Sequence, residues 1–228
     1  MRAARIPRML LQVTIAALPW RLKRHLLQRF FGYQLDPSAR IGLAWVYPRH
    51  LRMAAGSRID ALTVAIHLDA LEIGQMASIG RGNWITGFAT GTNSPHFAHQ
   101  PNRCAQLLLG DHAAITKNHH IDCTNRITIG PFTTIAGYHS QLLSHSIDLQ
   151  HNRQHSEPIT IGPYCFVGSN CVILGGSELP HHSVLGALSL LNKVHIEPWS
   201  LYAGQPARRL KAIQADAAYF SRRQGYVV

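Results

Sequence analysis

Aliphatic residues recur along the second half of the chain at Ile161, Val167, Ile173, Leu179, Leu185 and Leu191, a spacing of six without a slip. Cys165, Cys171, Ser177, Ser183 and Ser189 follow successive members of that row by four positions, so a small-residue register accompanies the aliphatic one. The same spacing occurs earlier at Leu109, Ile115, Ile121 and Ile127, then after a two-residue shift at Ile129 and Ile135, and before these at Ile73, Ile79 and Ile85. An α-helix buries positions three and four apart, and an amphipathic strand alternates strictly. Neither yields six. Short strands joined by corners do, when one aliphatic side chain points inward from each strand and Gly, Asn or Asp takes the corner. The pattern predicts an all-β solenoid whose core is a continuous ladder and whose coils pair edge to edge.

Two stretches break the pattern. Residues 87–106 carry no repeat and read as a loop or an insertion. No intact hexad falls within residues 142–158, so the solenoid expels a loop there, and such loops usually carry function. That loop holds His145, His151 and His155, while His139 stays in the rung-like "IAGYHS" before it. The solenoid body is expected over residues 40–213, preceded by a basic amphipathic segment at 1–39. A short tail follows at 214–228, with helical character around "ADAAYFSRR".

With 46% hydrophobic and 14% charged residues the chain is globular, with an extensive core. Its formal charge of +11 is uneven, because Arg2, Arg5, Arg8, Arg21, Lys23, Arg24 and Arg29 all precede the first acid, Asp36. The apolar run "MLLQVTIAALPW" contains Gln12 and Thr14 and ends at Pro19, short of the ~20 residues of a spanning helix. As a signal peptide it lacks a clean cleavage motif. "RLKRHLLQRFF" predicts a helix with two readings. Either its leucines and phenylalanines pack on the body while the cations are solvated, or it lies on an anionic membrane, where each cation adds about 1 kcal/mol. The four cysteines lack CxxC spacing and read as buried free thiols in a reducing, cytoplasmic setting. Cations gathered at one terminus without a readout motif argue against nucleic-acid binding.

"IGPYCFVGSNCVILGGSELPHHSVLGALSLL", followed by "LYAGQPARRLKAI", resembles the hexapeptide-repeat acyltransferases, within them most closely the O-acetyltransferases of sugars and surface polysaccharides. The resemblance implies a left-handed parallel β-helix, a homotrimer with its sites between adjacent solenoids, and direct acyl transfer from acetyl-CoA to a glycan hydroxyl. A loop histidine is then the general base. A sugar hydroxyl needs proton removal as it attacks, and neutral imidazole suits that task. "LLSHSID" matches the family context and assigns the base to His145, with Asp148 orienting its ring. The resemblance further places Asn118 at the acceptor, where His119 or His120 would line the cleft, and Ser169 and Ala187 along the pantetheine arm; His139 at its corner and Trp84, an aromatic suited to stack on a sugar face, are also acceptor-site candidates. Asn192, Lys193, Arg208 and Lys211 fall at the CoA phosphates and adenine, although Asn192 departs from the hydroxyl residue common there.

No metal is expected on this reading. A rival reading sees the histidines as zinc ligands between subunits, as in the γ-class carbonic anhydrases, which use the same β-helix. A third sees a non-catalytic scaffold held at a membrane by its basic head.

Overall fold

The structure is a computed structural model that describes residues 5–227, and of residues 5–8 only the backbone. The body is a left-handed parallel β-helix of triangular section, as the hexads predict. Short strands stack in register on three faces. The first face is paired from Gln34–Leu35 to Glu178–Leu179, the second from Arg40–Ile41 to Val184–Leu185, and the third from Trp45–Tyr47 to Leu190–Leu191. Ile161, Val167 and Ile173 point inward from successive faces, and Leu179, Leu185 and Leu191 stack above them in the next coil, all fully buried. Six residues therefore make one side of the triangle and eighteen a coil.

The two-residue shift has a simple cause. In the middle coils the first-face strands are longer and turn two aliphatic residues inward, as at Leu107 with Leu109 and Ile127 with Ile129. The small-residue register lies at the corners, where Cys165, Cys171, Ser177, Ser183 and Ser189 are buried. Cys171 Sγ contacts Gly186 O and Ser177 Oγ donates to Leu191 O, so these groups satisfy the corner carbonyls of the next coil. All four cysteines are free, with Cys104 half-buried and the other three buried. Burial pushes the Cys165 thiol up to about 12.

Both ends are closed by other elements. Helix α1 (Arg5–Ala17) and helix α2 (Trp20–Phe31) are separated at Pro19, and α2 stops at Gly32 in the left-handed conformation. They cover the open first coil with Ile15 and Leu27, which join the core cluster. One cation departs from the expectation of a solvated charged face: Lys23 is buried, donating from Nζ to Ala16 O and Gly42 O, and burial lowers its pKa to about 8. At the other end Ser200–Gly204 and Ala207–Ala212 form an antiparallel pair at the edge of the second face.

The first coil starts at Gln34, earlier than the expected boundary at residue 40. Leu142 is an inward rung of the third face, so the expelled segment is narrower than residues 142–158. It is an antiparallel hairpin, His145–Asp148 against Arg153–Ser156. The tail forms a 3-10 turn at Ala218–Ser221 packed against the body. No described helix is long and apolar enough to cross a membrane.

Candidate active site

His145 opens the hairpin where the chain leaves the third face, just after buried Ser144. The hairpin base is tied down on two sides. Ser144 Oγ accepts from Asn125 N and donates to Asp122 O, while Ser156 exchanges hydrogen bonds with the side-chain amide of Gln100. Gln100 belongs to the irregular excursion between Thr86 and Gln106, which folds over the same corner. Arg103 anchors that excursion from beneath. Its guanidinium donates to Phe88 O and Thr124 O and lies 4.5 Å from the Phe97 ring centroid, and burial lowers its pKa. Asp69 pins both ends of the excursion by accepting from Thr90 N and Ala105 N, and it pairs with Arg49 at 3.0 Å.

The result is a pocket of about 340 Å³ beside the imidazole. Phe88, His96 and Phe97 wall it from the excursion, Asp122 and Thr124 from the coil below, and His145 and Gln154 from the hairpin. Phe97 presents its ring edge-on to His145 with centroids 5.5 Å apart. Asp122 Oδ2 lies 3.5 Å from His145 Nδ1, while Asp122 Oδ1 accepts from Thr124 N at 2.9 Å and so fixes the carboxylate. Gln154 touches the other ring nitrogen, Nε2. Its contact there is through Oε1, an acceptor, so a lone pair on Nε2 is available to the pocket only when the Gln154 amide turns over or away.

Asp148 does not orient His145. It closes the hairpin turn by accepting from the backbone of Gln150 and His151, and its other oxygen takes His151 Nδ1 at 2.7 Å and Arg153 Nε at 3.1 Å. The His151 hydrogen bond is the main reason its carboxyl lies down at about 2. A residue three positions along one arm of a hairpin is displaced toward the tip, whereas Asp122 stacks one coil below the strand that delivers His145. Asp122, Phe88, His96, Phe97 and Gln154 were all missed in the sequence reading. Asp122 had a signal, because counting coils aligns it with Leu143, two residues before His145.

Trp84, Asn118 and His139 gather in a shallow depression around the corner between the second and third faces. His119 shares that corner but does not face a ligand, being only 1% exposed. Its Nδ1 accepts from Ser140 N at 3.1 Å and its Nε2 meets Thr116 Oγ1 at 3.0 Å, so both ring nitrogens are spent on the scaffold. Burial lowers its pKa to about 4 and keeps it neutral. Ser169 and Ala187 stack on successive coils next to the same corner. A Cβ on Gly137 would lie 1.7 Å from Ser169 Oγ, and one on Gly168 would meet Ala187 N at 2.6 Å, so the column admits only small groups. Asn192 and Lys193 are exposed at the opposite edge of the third face, on the His145 side, and Arg208 and Lys211 are exposed on the closing strand. One chain thus divides these residues between the two edges of a face.

The three histidines of the hairpin segment and His139 before it do not converge. His139 sits at one corner, His145 faces Asp122, His151 holds Asp148, and His155 Nε2 lies 3.7 Å from Glu157. Among the described residues no three His, Cys, Asp or Glu side chains are grouped to hold a metal ion.

Fold and site together define a left-handed β-helix of hexapeptide repeats that carries an ordered histidine on an expelled hairpin. No protein-family model and no curated protein matches the chain. Among solved structures, a provisionally named acetyltransferase of Bacillus cereus matches with a TM-score of 0.50 at 18% identity, over 81% of this chain and 80% of that one. A hexapeptide-repeat acetyltransferase of Vibrio cholerae matches over 93% and 92% of the two chains, at 21% identity and a TM-score of 0.47. The polysialic-acid-specific acetyltransferase NeuO matches over 81% and 84%, at 16% identity and a TM-score of 0.39. The chain shares the fold of the first of these.

Proposed function

We propose that the protein is an acyl-CoA-dependent O-acetyltransferase acting on a hydroxyl of a sugar, polysaccharide or glycan precursor, with acetyl-CoA as donor. The observation that carries this reading is His145, with Asp122 Oδ2 3.5 Å from one ring nitrogen, at the edge of an aromatic-walled, polar-rimmed pocket. Such a pocket suits a sugar, whose ring face packs on aromatics and whose hydroxyls meet Thr124, Gln154 and His96. His145 Nε2 takes the proton of the acceptor hydroxyl as its oxygen attacks the thioester carbonyl. The tetrahedral intermediate then collapses with loss of the CoA thiolate, which receives that proton from the imidazolium. Asp122, 3.5 Å away, stabilises the transient cation.

The donor extends along the small-residue column of Ser169 and Ala187, with its phosphates met by Asn192, Lys193, Arg208 and Lys211. Trp84, Asn118 and His139 meet the acceptor from a neighbouring protomer, in a homotrimer. Two observations favour assembly. Ser169 with Ala187 and Asn192 with Lys193 lie at opposite edges of one chain's third face, so that a complete groove needs a second copy. In addition, Leu62 and Leu188 are 71% and 63% exposed at corners where φ is 62° and 60°. Holding a leucine in the left-handed region costs about 1 kcal/mol; backbone hydrogen bonds from Leu62 N to Leu43 O and from Leu188 N to Ser169 O hold these corners within one chain, and their exposed side chains are left for a second copy to cover.

The decisive experiment follows CoA thiol release with acetyl-CoA and a panel of saccharides, comparing the wild type with His145→Ala. We expect turnover in the wild type and a loss of about 10²–10⁴-fold in the variant, with the assembly intact by ultracentrifugation. Undiminished turnover in a folded, assembled His145→Ala protein would remove the base. Glycan mass spectrometry of a strain lacking the protein then identifies the acceptor, and an unchanged acetylation pattern would count against it.

A further inference from the structure

The outer surface of the helical cap has no role in the site just described. On α1 the side chains of Met9, Leu10 and Val13 are exposed, and on α2 those of Leu22 and Phe30, each between 48 and 63%. The inner sides of the same helices are already satisfied: Ile15 and Leu27 lie in the core, with Leu11, Trp20 and Leu26 packed against it. The outward residues therefore contribute little to folding. Around them Arg21, His25 and Arg29 are exposed, and no acidic residue occurs before Asp36.

We infer that this cap is a docking surface for the headgroup region of an anionic lipid bilayer, with Met9, Leu10, Val13, Leu22 and Phe30 entering the interface and Arg21 and Arg29 pairing with lipid phosphates. Charge complementarity selects this occupant. A second copy of the cap would oppose cation to cation without a single carboxylate to offset them, and a purely electrostatic polyanion would leave five apolar side chains in water. An interfacial helix needs this mixture, apolar side chains with cations around them. Among the described residues neither helix is long and apolar enough to cross a membrane, so contact with one would be at its surface. Cyclic symmetry places equivalent points at one height along the axis. In the proposed assembly every cap thus faces the same plane, and weak single contacts add up.

The test is co-sedimentation of the intact chain with vesicles of phosphatidylcholine alone and of phosphatidylcholine mixed with phosphatidylglycerol. We expect binding to the anionic vesicles only, weakening as salt rises, and a loss of about tenfold or more in Leu10→Asp and in Arg21→Glu with Arg29→Glu. All these positions are exposed, and a thermal melt checks that each variant folds. Absence of binding to anionic vesicles overturns the inference, as does unchanged binding by the folded variants. A drop in assembly mass in Leu10→Asp also overturns it, since the surface would then join copies of the chain. Each outcome is read without the transfer reaction, so the inference stands or falls apart from the proposed activity.

Discussion

His145 and His119 are imidazoles put to opposite uses by their surroundings. His145 stands at the rim of a pocket, with Asp122 3.5 Å from one nitrogen and the Gln154 side chain against the other, whereas His119 has both nitrogens occupied inside the wall. For catalysis the difference predicts that Asp122→Asn lowers kcat by about 10²-fold with little change in KM for acetyl-CoA. Asp148→Asn, at a carboxylate spent on the hairpin turn, stays within about threefold of wild type, and steady-state assays of both variants check the assignment. For stability the sign follows from a lowered pKa. Above pH 6.5 His119 is neutral folded or unfolded. As pH falls toward 4 the unfolded chain binds a proton that the native chain refuses, so stability drops by about 1.4 kcal/mol per pH unit, on the order of 3 kcal/mol in all. Urea unfolding across that window should show His119→Gln losing less stability on acidification than the wild type. An identical slope would mean that His119 is solvated.

At the scale of elements, the regular and irregular segments depend on different forces. The coils form because each hexad buries one aliphatic residue, a local rule repeated along the chain, and the period predicted the stacked coils, though not the first one from Gln34 or the rung at Leu142. The excursion between Thr86 and Gln106 has no such rule. Its shape rests on Arg103 and Asp69, whose hydrogen-bond partners, like the Phe97 ring beside Arg103, are brought together only by the fold. Arg103→Met would leave Phe88 O and Thr124 O without their donor and cost about 2–4 kcal/mol, with a rise in the acceptor KM as the Phe97 wall loosens. Calorimetry and kinetics measure the two effects. The strained corners offer another check. Leu62→Asn relieves the left-handed backbone, and we expect the separated chain to be no less stable while the assembly weakens, a combination visible by ultracentrifugation.

For the whole molecule the open question is how a stack of short strands is kept from fraying. A ladder of rings runs up one corner, His112, Phe132, Tyr164, His182 and Trp199, with successive centroids 4.3 to 5.0 Å apart. The C-terminal segment lies across it as a strap. Tyr219 Oη donates to Cys165 O, Arg222 donates to Phe132 O and Tyr219 O, and the Arg222 guanidinium sits 3.9 Å from the Tyr219 ring centroid. Arg222→Ala should lower stability by about 1–3 kcal/mol, a melting shift of several degrees, whereas Arg223→Ala at an exposed neighbour should not. The sequence by itself determined the solenoid, its period, the expelled segment and the histidine on it, because a core ladder demands one aliphatic residue at every sixth position and a missing rung is as legible as a present one. Only the tertiary structure decided that Asp122 rather than Asp148 meets that histidine, that Lys23 and His119 are buried, and that the excursion walls the pocket. Those contacts join residues from different coils, whose approach is set by stacking and chain reversal rather than by spacing along the chain.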